Sequence, residues 1–232
     1  MLDSKTIVMS VGGSLIVPDQ IDTDFLTNLK QIIDTQTATS GRRFIIIAGG
    51  GRTARRYQDA ARDVSALTND DLDWMGIHAT RLNGHLLRTI FRDIAHPAII
   101  TNPDDILDVP STATVIVAAG YRPGASTDLR AIQIAERTGA VAAVNLSDTD
   151  YIYTDNPKTN PDATAIEDIT WTEFRTLIPT EWDPGLSAPF DPIAAAAADA
   201  ANIEVAQISG HRLPELVNYL DEKPFIGTRI HN

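Results

Sequence analysis

The sequence predicts an α/β fold in which a mostly parallel central sheet is sandwiched between helices, an αβα arrangement. Three observations carry that expectation. Apolar runs rich in β-branched residues alternate with segments of helical period along the chain. These runs are continuously apolar, as strands covered on both faces require. Three of them lead into glycine-containing turns, and in a parallel sheet the strands' carboxyl ends are where ligands sit.

In order, the strand-like runs are Thr6–Val11, Phe44–Ala48, Ala98–Thr101, Ala113–Ala118, Ala140–Leu146 and Ile203–Ile208. Helical periodicity predicts helices over Asp24–Ile33, Thr53–Ala66, Asp70–Ile94, Thr127–Thr138 and Pro192–Ala201. Strand and helix alternating in this way imply right-handed βαβ crossovers. The stretch Asp148–Thr170, rich in Asp, Asn, Thr and Pro, reads as a functional loop with a short hairpin around Tyr151–Tyr153. A second irregular stretch, Ile178–Pro192, precedes an alanine-rich helix. No repeat or interdomain linker interrupts the 232 residues, so residues 1–232 read as one domain.

A net charge of −12 repels nucleic acid and anionic membrane, so any polyanion must be held locally. No stretch approaches the roughly 20 apolar residues of a membrane span, and the start of the chain lacks a secretory pattern. With no cysteine there are no disulfides or thiolate metal sites, and cytoplasm is the expected location. Against the acidic background Arg52, Arg55, Arg56 and Arg62 form a positive island, although a solvated helix face laced with Asp59 and Asp63 would show the same pattern. Five histidines have no convincing metal-ligand spacing, so no metal site is expected from them. Trp74, Ile77, Leu86, Leu87 and Ile90 recur near helical spacing, which points to packing against the sheet or a neighbouring subunit.

The turns "VGGS" and "AGGG" follow directly on strands. Glycine there lets the backbone approach a ligand without a Cβ in the way, and exposed amides make an anion nest. A helix starting after Gly51 would add its N–H groups, and Arg55 one turn in could fork onto phosphate. Neither turn has the G-x-G-x-x-G or G-x-x-x-x-G-K-[ST] spacing of the two commonest nucleotide folds. The two turns and the third, "AAGYRPGASTD", are expected to gather on one edge of the sheet.

The ordered series "SVGGSLIVPDQID", "IIIAGGGRTARRY", "DLDWMGIHATRLNGHLL", "AAGYRPGASTDLRA", "NLSDTDYIYTDNPKTNP" and "SAPFDPIAAA" resembles the amino acid kinase superfamily, and within it the archaeal-type uridylate kinases. The resemblance covers nearly the whole chain. It implies ATP-dependent phosphoryl transfer to UMP with Mg²⁺, an acceptor half of about residues 1–139, an ATP half of about 140–232, and a homo-oligomer, a hexamer in such relatives. It places ATP phosphates on Gly12, Gly13 and Ser14, and the acceptor phosphate on Gly50, Gly51 and Arg55. Asp73 would contact the acceptor nucleoside, with Ser126, Thr127 and Asp128 reading it. Ser147, Asp150, Tyr153 and Asn156 would surround the ATP base and ribose. Asp128 and Asp191 could hold the metal or its waters; Asp191 could equally be a helix cap before Pro192.

The match departs at defined places. Relatives usually carry a lysine where this chain has Ser10 and another where it has Ala196, leaving Arg52 and Arg122 as the nearest cations in sequence. Tyr151 stands where glycine is expected, Asn156 replaces an aspartate and Ala119 replaces a glycine. A backbone of positive φ at Tyr151 would be strained. Two alternatives therefore stand beside the UMP kinase reading. One is a repurposed member that binds a nucleotide or oxyanion for sensing or storage, and the other is a related small-molecule kinase.

Overall fold

Five of the apolar runs pair side by side, all parallel, and two further strands extend the sheet at one edge. The computed structural model describes residues 5–140, 142–157, 159–180 and 188–232. In chain order these form β1 (Thr6–Val11), α1 (Gly13–Ile16), α2 (Thr23–Ser40), β2 (Arg43–Ala48), α3 (Gly51–Val64), α4 (Asn69–Ile90), β3 (Val115–Ala118), α5 (Thr127–Thr138) and β4 (Ala142–Ser147). They continue with β5 (Ile152–Tyr153), β6 (Ala165–Ile166), β7 (Asp168–Thr170), α6 (Trp171–Leu177), α7 (Pro192–Ala201), β8 (Glu204–Ser209), α8 (Leu213–Leu220) and β9 (Thr228–His231). The sheet order is β3-β2-β1-β4-β8-β9-β7, with β9 antiparallel to β8 and every other pairing parallel. The β5–β6 pair is a separate antiparallel hairpin.

Side chains leave the strands alternately and fill two cores. Val8, Ile45, Ile47, Ile116 and Val205 meet residues of α5, α6 and α7 on one face. Met9, Val11, Phe44, Ile46 and Ile208 meet α2, α4 and α8 on the other. Each large aliphatic chain so buried contributes about 1.5–3 kcal/mol, which is why continuously apolar strands require helices on both sides. Three of the polar exceptions form a row: Ser10, Asn145 and Gln207 are in-register neighbours across β1, β4 and β8, and all three are buried.

Three expectations need correction. Ala98–Thr101 is not a strand; it makes one isolated bridge to β3 through Ile100, beside a second through Ala95. Pro97 between them has no N–H to give, so the ladder breaks after His96. Helix α2 continues to Ser40, past the expected end at Ile33. Its threonine-rich final turns are held by Thr35, Thr37 and Thr39 hydroxyls donating to the carbonyls four residues back at 2.6–2.8 Å, and Gly41 closes it at φ +66°. Tyr151 adopts no positive φ, so the strain considered there does not arise. Residue 141 of the expected strand over 140–146, and residues 181–187 of the expected irregular stretch, including Ser187 of the last motif, lie outside the described residues.

Candidate functional site

The ends of β1 and β2 are adjacent because the strands pair in register from Thr6 with Arg43 to Val11 with Ala48. Their glycine turns therefore meet: Gly49 N donates to Val11 O at 2.9 Å, and Gly13 and Gly51 touch backbone to backbone. Asn83, buried on α4, ties the second turn from below by donating to Gly49 O at 2.7 Å. With Arg52 N spent on Val17 O at 3.3 Å, the amides of Gly13, Gly50, Gly51 and Thr53 donate to no other described residue. Unspent amides on two touching turns and at the start of α3 are donors of the kind that an anion takes.

The charged groups differ in how they are held. Arg55 is exposed and has no hydrogen-bond or ion-pair partner among the described residues. Arg52 and Arg56 are both drawn to Asp19, at 3.6 and 2.6 Å. Ser14 Oγ donates to Asp148 Oδ1 at 3.0 Å, linking the β1 turn to the loop after β4.

The third turn follows β3 and is shaped by α4. Thr80 Oγ1 accepts from Gly120 N at 2.8 Å, Arg81 donates to Gly120 O and Tyr121 O at 3.1 and 3.0 Å, and Asp73 Oδ2 accepts from Gly124 N at 2.8 Å. Ser126 then caps α5 by accepting from Leu129 N at 3.1 Å, so Thr127 and Asp128 open that helix.

Asp128 turns towards the sheet. Its Oδ1 accepts from Ser10 Oγ at 3.1 Å and its Oδ2 from Asp191 N at 3.4 Å. Burial raises its pKa to about 6, the Ser10 hydrogen bond opposes that rise, and the nearby Asp191 charge adds to it. Asp191 is the helix cap considered above: its Oδ1 accepts from Ala194 N at 2.7 Å. Its Oδ2, in a side chain of a residue only 6% exposed, has no donor among the described residues. The carboxylate pair is thus engaged on one side and unsatisfied on the other.

Behind the loop after β4 runs a buried amide ladder. Asn145 donates to Gln207 Oε1 at 2.7 Å, and Gln207 Nε2 donates to Ser147 Oγ. Asp150 pairs with Arg212 at 3.0 Å. Tyr153 and Asn156 stand on the β5–β6 hairpin, which Ile152 N fastens to Thr228 Oγ1 at 2.8 Å; Tyr153 meets Tyr151 edge-on there. The structure therefore joins Gly12, Gly13, Ser14, Gly50 and Gly51 in one surface and Asp128 with Asp191 in another, while Tyr153 and Asn156 belong to a different element. Among the described residues no cluster of three metal-ligating side chains occurs. Sequence reasoning missed Asp19, Asp148, Asn83 and Thr80. For the last two a signal existed, since both are polar residues on the apolar stripe that α4 shares with Ile77, Gly84 and Leu87.

A mostly parallel αβα sandwich whose two glycine turns meet at neighbouring strand ends defines the chain as an α/β protein of the amino acid kinase fold. The model of the amino acid kinase family matches residues 5–206, and the chain belongs to that family. It is 33% identical over 229 residues to a uridylate kinase of Methanospirillum hungatei, covering 97% of this chain and 94% of that one. A uridylate kinase of Thermoplasma volcanium is 30% identical over 228 residues, covering 98% of both. In fold the chain is similar to the crystal structure of uridylate kinase from Archaeoglobus fulgidus, with a TM-score of 0.80 at 22% identity over 97% of this chain and 99% of that one.

Proposed function

We propose that the protein transfers the γ-phosphoryl group of ATP to a phosphate oxygen of UMP, giving ADP and UDP. The observation that carries this reading is the backbone contact between the β1 and β2 turns, with the amides of Gly13, Gly50 and Gly51 unspent among the described residues. Two phosphate chains bound to the two turns would be aligned with no side chain between them, and alignment with charge compensation is most of what phosphoryl transfer needs.

In this reading Gly12, Gly13 and Ser14 hold the donor phosphates, while Gly50, Gly51 and Arg55 hold the acceptor phosphate. Asp73 and the Ser126–Thr127 turn contact the acceptor nucleoside, and Ser147 and Asp150, with Tyr153 and Asn156 of the hairpin, surround the donor nucleoside. Arg52, beside the second turn, is the cation available to the transferred group once it leaves Asp19. Mg²⁺ on the donor phosphates would supply further charge neutralisation. Asp128 and the donor-free Oδ2 of Asp191 fit a hydrated cation, and the lack of a third ligating side chain suits a metal that keeps most of its waters. Among the described residues no helix is long and apolar enough to cross a membrane. Exposed Tyr57, Trp74 and Leu82 on α3 and α4 support self-association into the expected homo-oligomer.

A coupled assay of ADP release with UMP and other nucleoside monophosphates tests the reading. UMP should be the preferred acceptor, and Arg55→Gln and Asp73→Asn should raise its KM at least ten-fold with a smaller change in kcat. A second reading, nucleotide binding without turnover, is favoured by one contact: the Ser10 hydroxyl meets Asp128 where relatives usually bring a lysine. Tight UMP and ATP binding without ADP release would select it and refute the first.

A further inference from the structure

The root of α5 carries a charge pattern that the phosphoryl-transfer reading leaves unused. Arg130 is 5% exposed and in no ion pair among the described residues. The one hydrogen bond of its guanidinium among them is from Nη1 to Gln133 Oε1 at 2.7 Å, and its Nε is buried without an acceptor. Its guanidinium carbon lies 5.5 Å from the centre of the Tyr121 ring, and that of Arg122 lies 5.6 Å from the same ring. Apart from that ring, Arg122 has no partner among the described residues. Arg137, two turns along α5, is neutralised by Asp104 at 2.5 Å. Burial first, and then the charge of Arg122, hold the Arg130 guanidinium below its ordinary pKa, and Arg137 acts in the same direction.

A cation taken out of water without a counter-charge is costly. The chain has 31 acidic residues against 19 Lys and Arg, yet none of the described ones is paired with either of these arginines. Two guanidinium groups, each within 5.6 Å of the centre of one aromatic ring and with N–H donors unspent, supply donors of the kind that a tetrahedral oxyanion takes.

We propose that Arg122 and Arg130, gathered on the ring of Tyr121, form a binding site for a phosphate-type oxyanion at the root of α5. The site is built from different residues than the glycine turns and does not depend on the kinase reading. An anion there would fix the segment between two existing ties, Arg81 on Gly120 and Tyr121 and Asp73 on Gly124. It would thereby order Ser126–Asp128 in advance.

The test uses the full chain and inorganic phosphate, titrated against chloride at constant ionic strength, with thermal melting as the readout. Because the glycine turns also attract phosphate, the titration is made in an Arg55→Gln background. The single variant should show a saturable rise in Tm. Adding Arg122→Gln should weaken the apparent Kd at least ten-fold; Arg122 is exposed, so its replacement leaves the fold intact even where Arg130→Gln does not. No saturable response in Arg55→Gln, or the same response with and without Arg122, would overturn the proposal.

Discussion

A β-carbon on Gly13 would lie 2.0 Å from the amide nitrogen of Gly51, and one on Gly51 would lie 2.1 Å from the carbonyl oxygen of Gly13. Each turn occupies the space in which the other would need a side chain. Gly51 also sits at φ +61°, where any L-residue is strained. Gly13→Ala should therefore cost about 1–3 kcal/mol or more by overpacking and separate the amides that the anion needs. Urea unfolding and phosphate binding measured on the same variant check both effects, and a variant that keeps wild-type stability would show that the turns part easily.

Asp128 has its pKa raised from 3.8 to about 6, so the folded state binds its proton more tightly than the unfolded chain does. The sign follows from linkage: stability falls as pH rises from about 4 to about 6, and the penalty is then constant. Asp128→Asn should remove this dependence and raise stability at pH 7.5 by about 1–2 kcal/mol, discounted for partial exposure, while lowering phosphoryl transfer. Thermal melting of both proteins from pH 4 to pH 8 gives the answer. A variant less stable than the parent at pH 7.5 would contradict it.

His231 gives a slope of the same sign, through a favourable pair that is lost as pH rises and not through a burial penalty that appears. The hydrogen bond to Asp168 at 2.8 Å raises its pKa, helped by the Asn232 carbonyl. Its contribution is fully present below about pH 6 and is lost as pH rises through the raised folded value. Replacing His231 by Gln should lower Tm at pH 5.5 and leave it nearly unchanged at pH 8.5; equal losses at both would mean that the pair is not ionic.

Asp19 neutralises Arg52 and Arg56 on the exposed side of the β2 turn. Exposed pairs contribute at most about 1 kcal/mol, so Asp19→Asn should release the arginines at little cost in stability. ATP affinity by calorimetry should rise by up to about five-fold, with a steeper dependence on salt. No change in affinity would mean that Arg52 does not reach the phosphates.

Gln207 Oε1 accepts from Asn145, and its Nε2 donates to Ser147. Gln207→Leu would remove both bonds, leaving Asn145 with only its 3.4 Å contact to Pro189 O and Ser147 with its bonds to Thr149, at about 1 kcal/mol or more. Denaturant midpoints should show the loss, and the double variant with Asn145→Leu should recover part of it. A double variant as unstable as the two losses added together would rule out a shared ladder.

Much of the fold was legible because its signals are local. The run Thr6–Val11 and the periodic segments Thr127–Thr138 and Pro192–Ala201 match β1, α5 and α7 residue for residue. Helix α2 outruns the periodic segment Asp24–Ile33 because its threonine-rich end is held by back-donated hydroxyl bonds, which apolar periodicity does not report. Helix α6 was missed despite a capping box, Thr170 with Glu173, because seven residues leave too little period to read. Strand β9 alternates buried Thr228 and Ile230 with Arg229 and His231, and so short a pattern identifies a strand only once its neighbours are known. In the site, the glycine turns announced themselves. The Asp19–Arg52 pair and the support of Gly49 by Asn83 did not, since each spans more than thirty residues and follows no spacing rule.

The position of β9 between β8 and β7 separates synthesis from closure. On a ribosome, β1, β2, β3, β4 and β8 can zip together as each emerges, but β7 has no sheet neighbour other than β9 and must wait for it. Until residues 228–231 appear, β8 has an open edge and Thr228 is not there to fasten the hairpin. The half of the molecule read here as receiving the donor nucleotide is thus the last to be locked, whereas the Gly13–Gly51 contact can form while more than half of the chain is still untranslated.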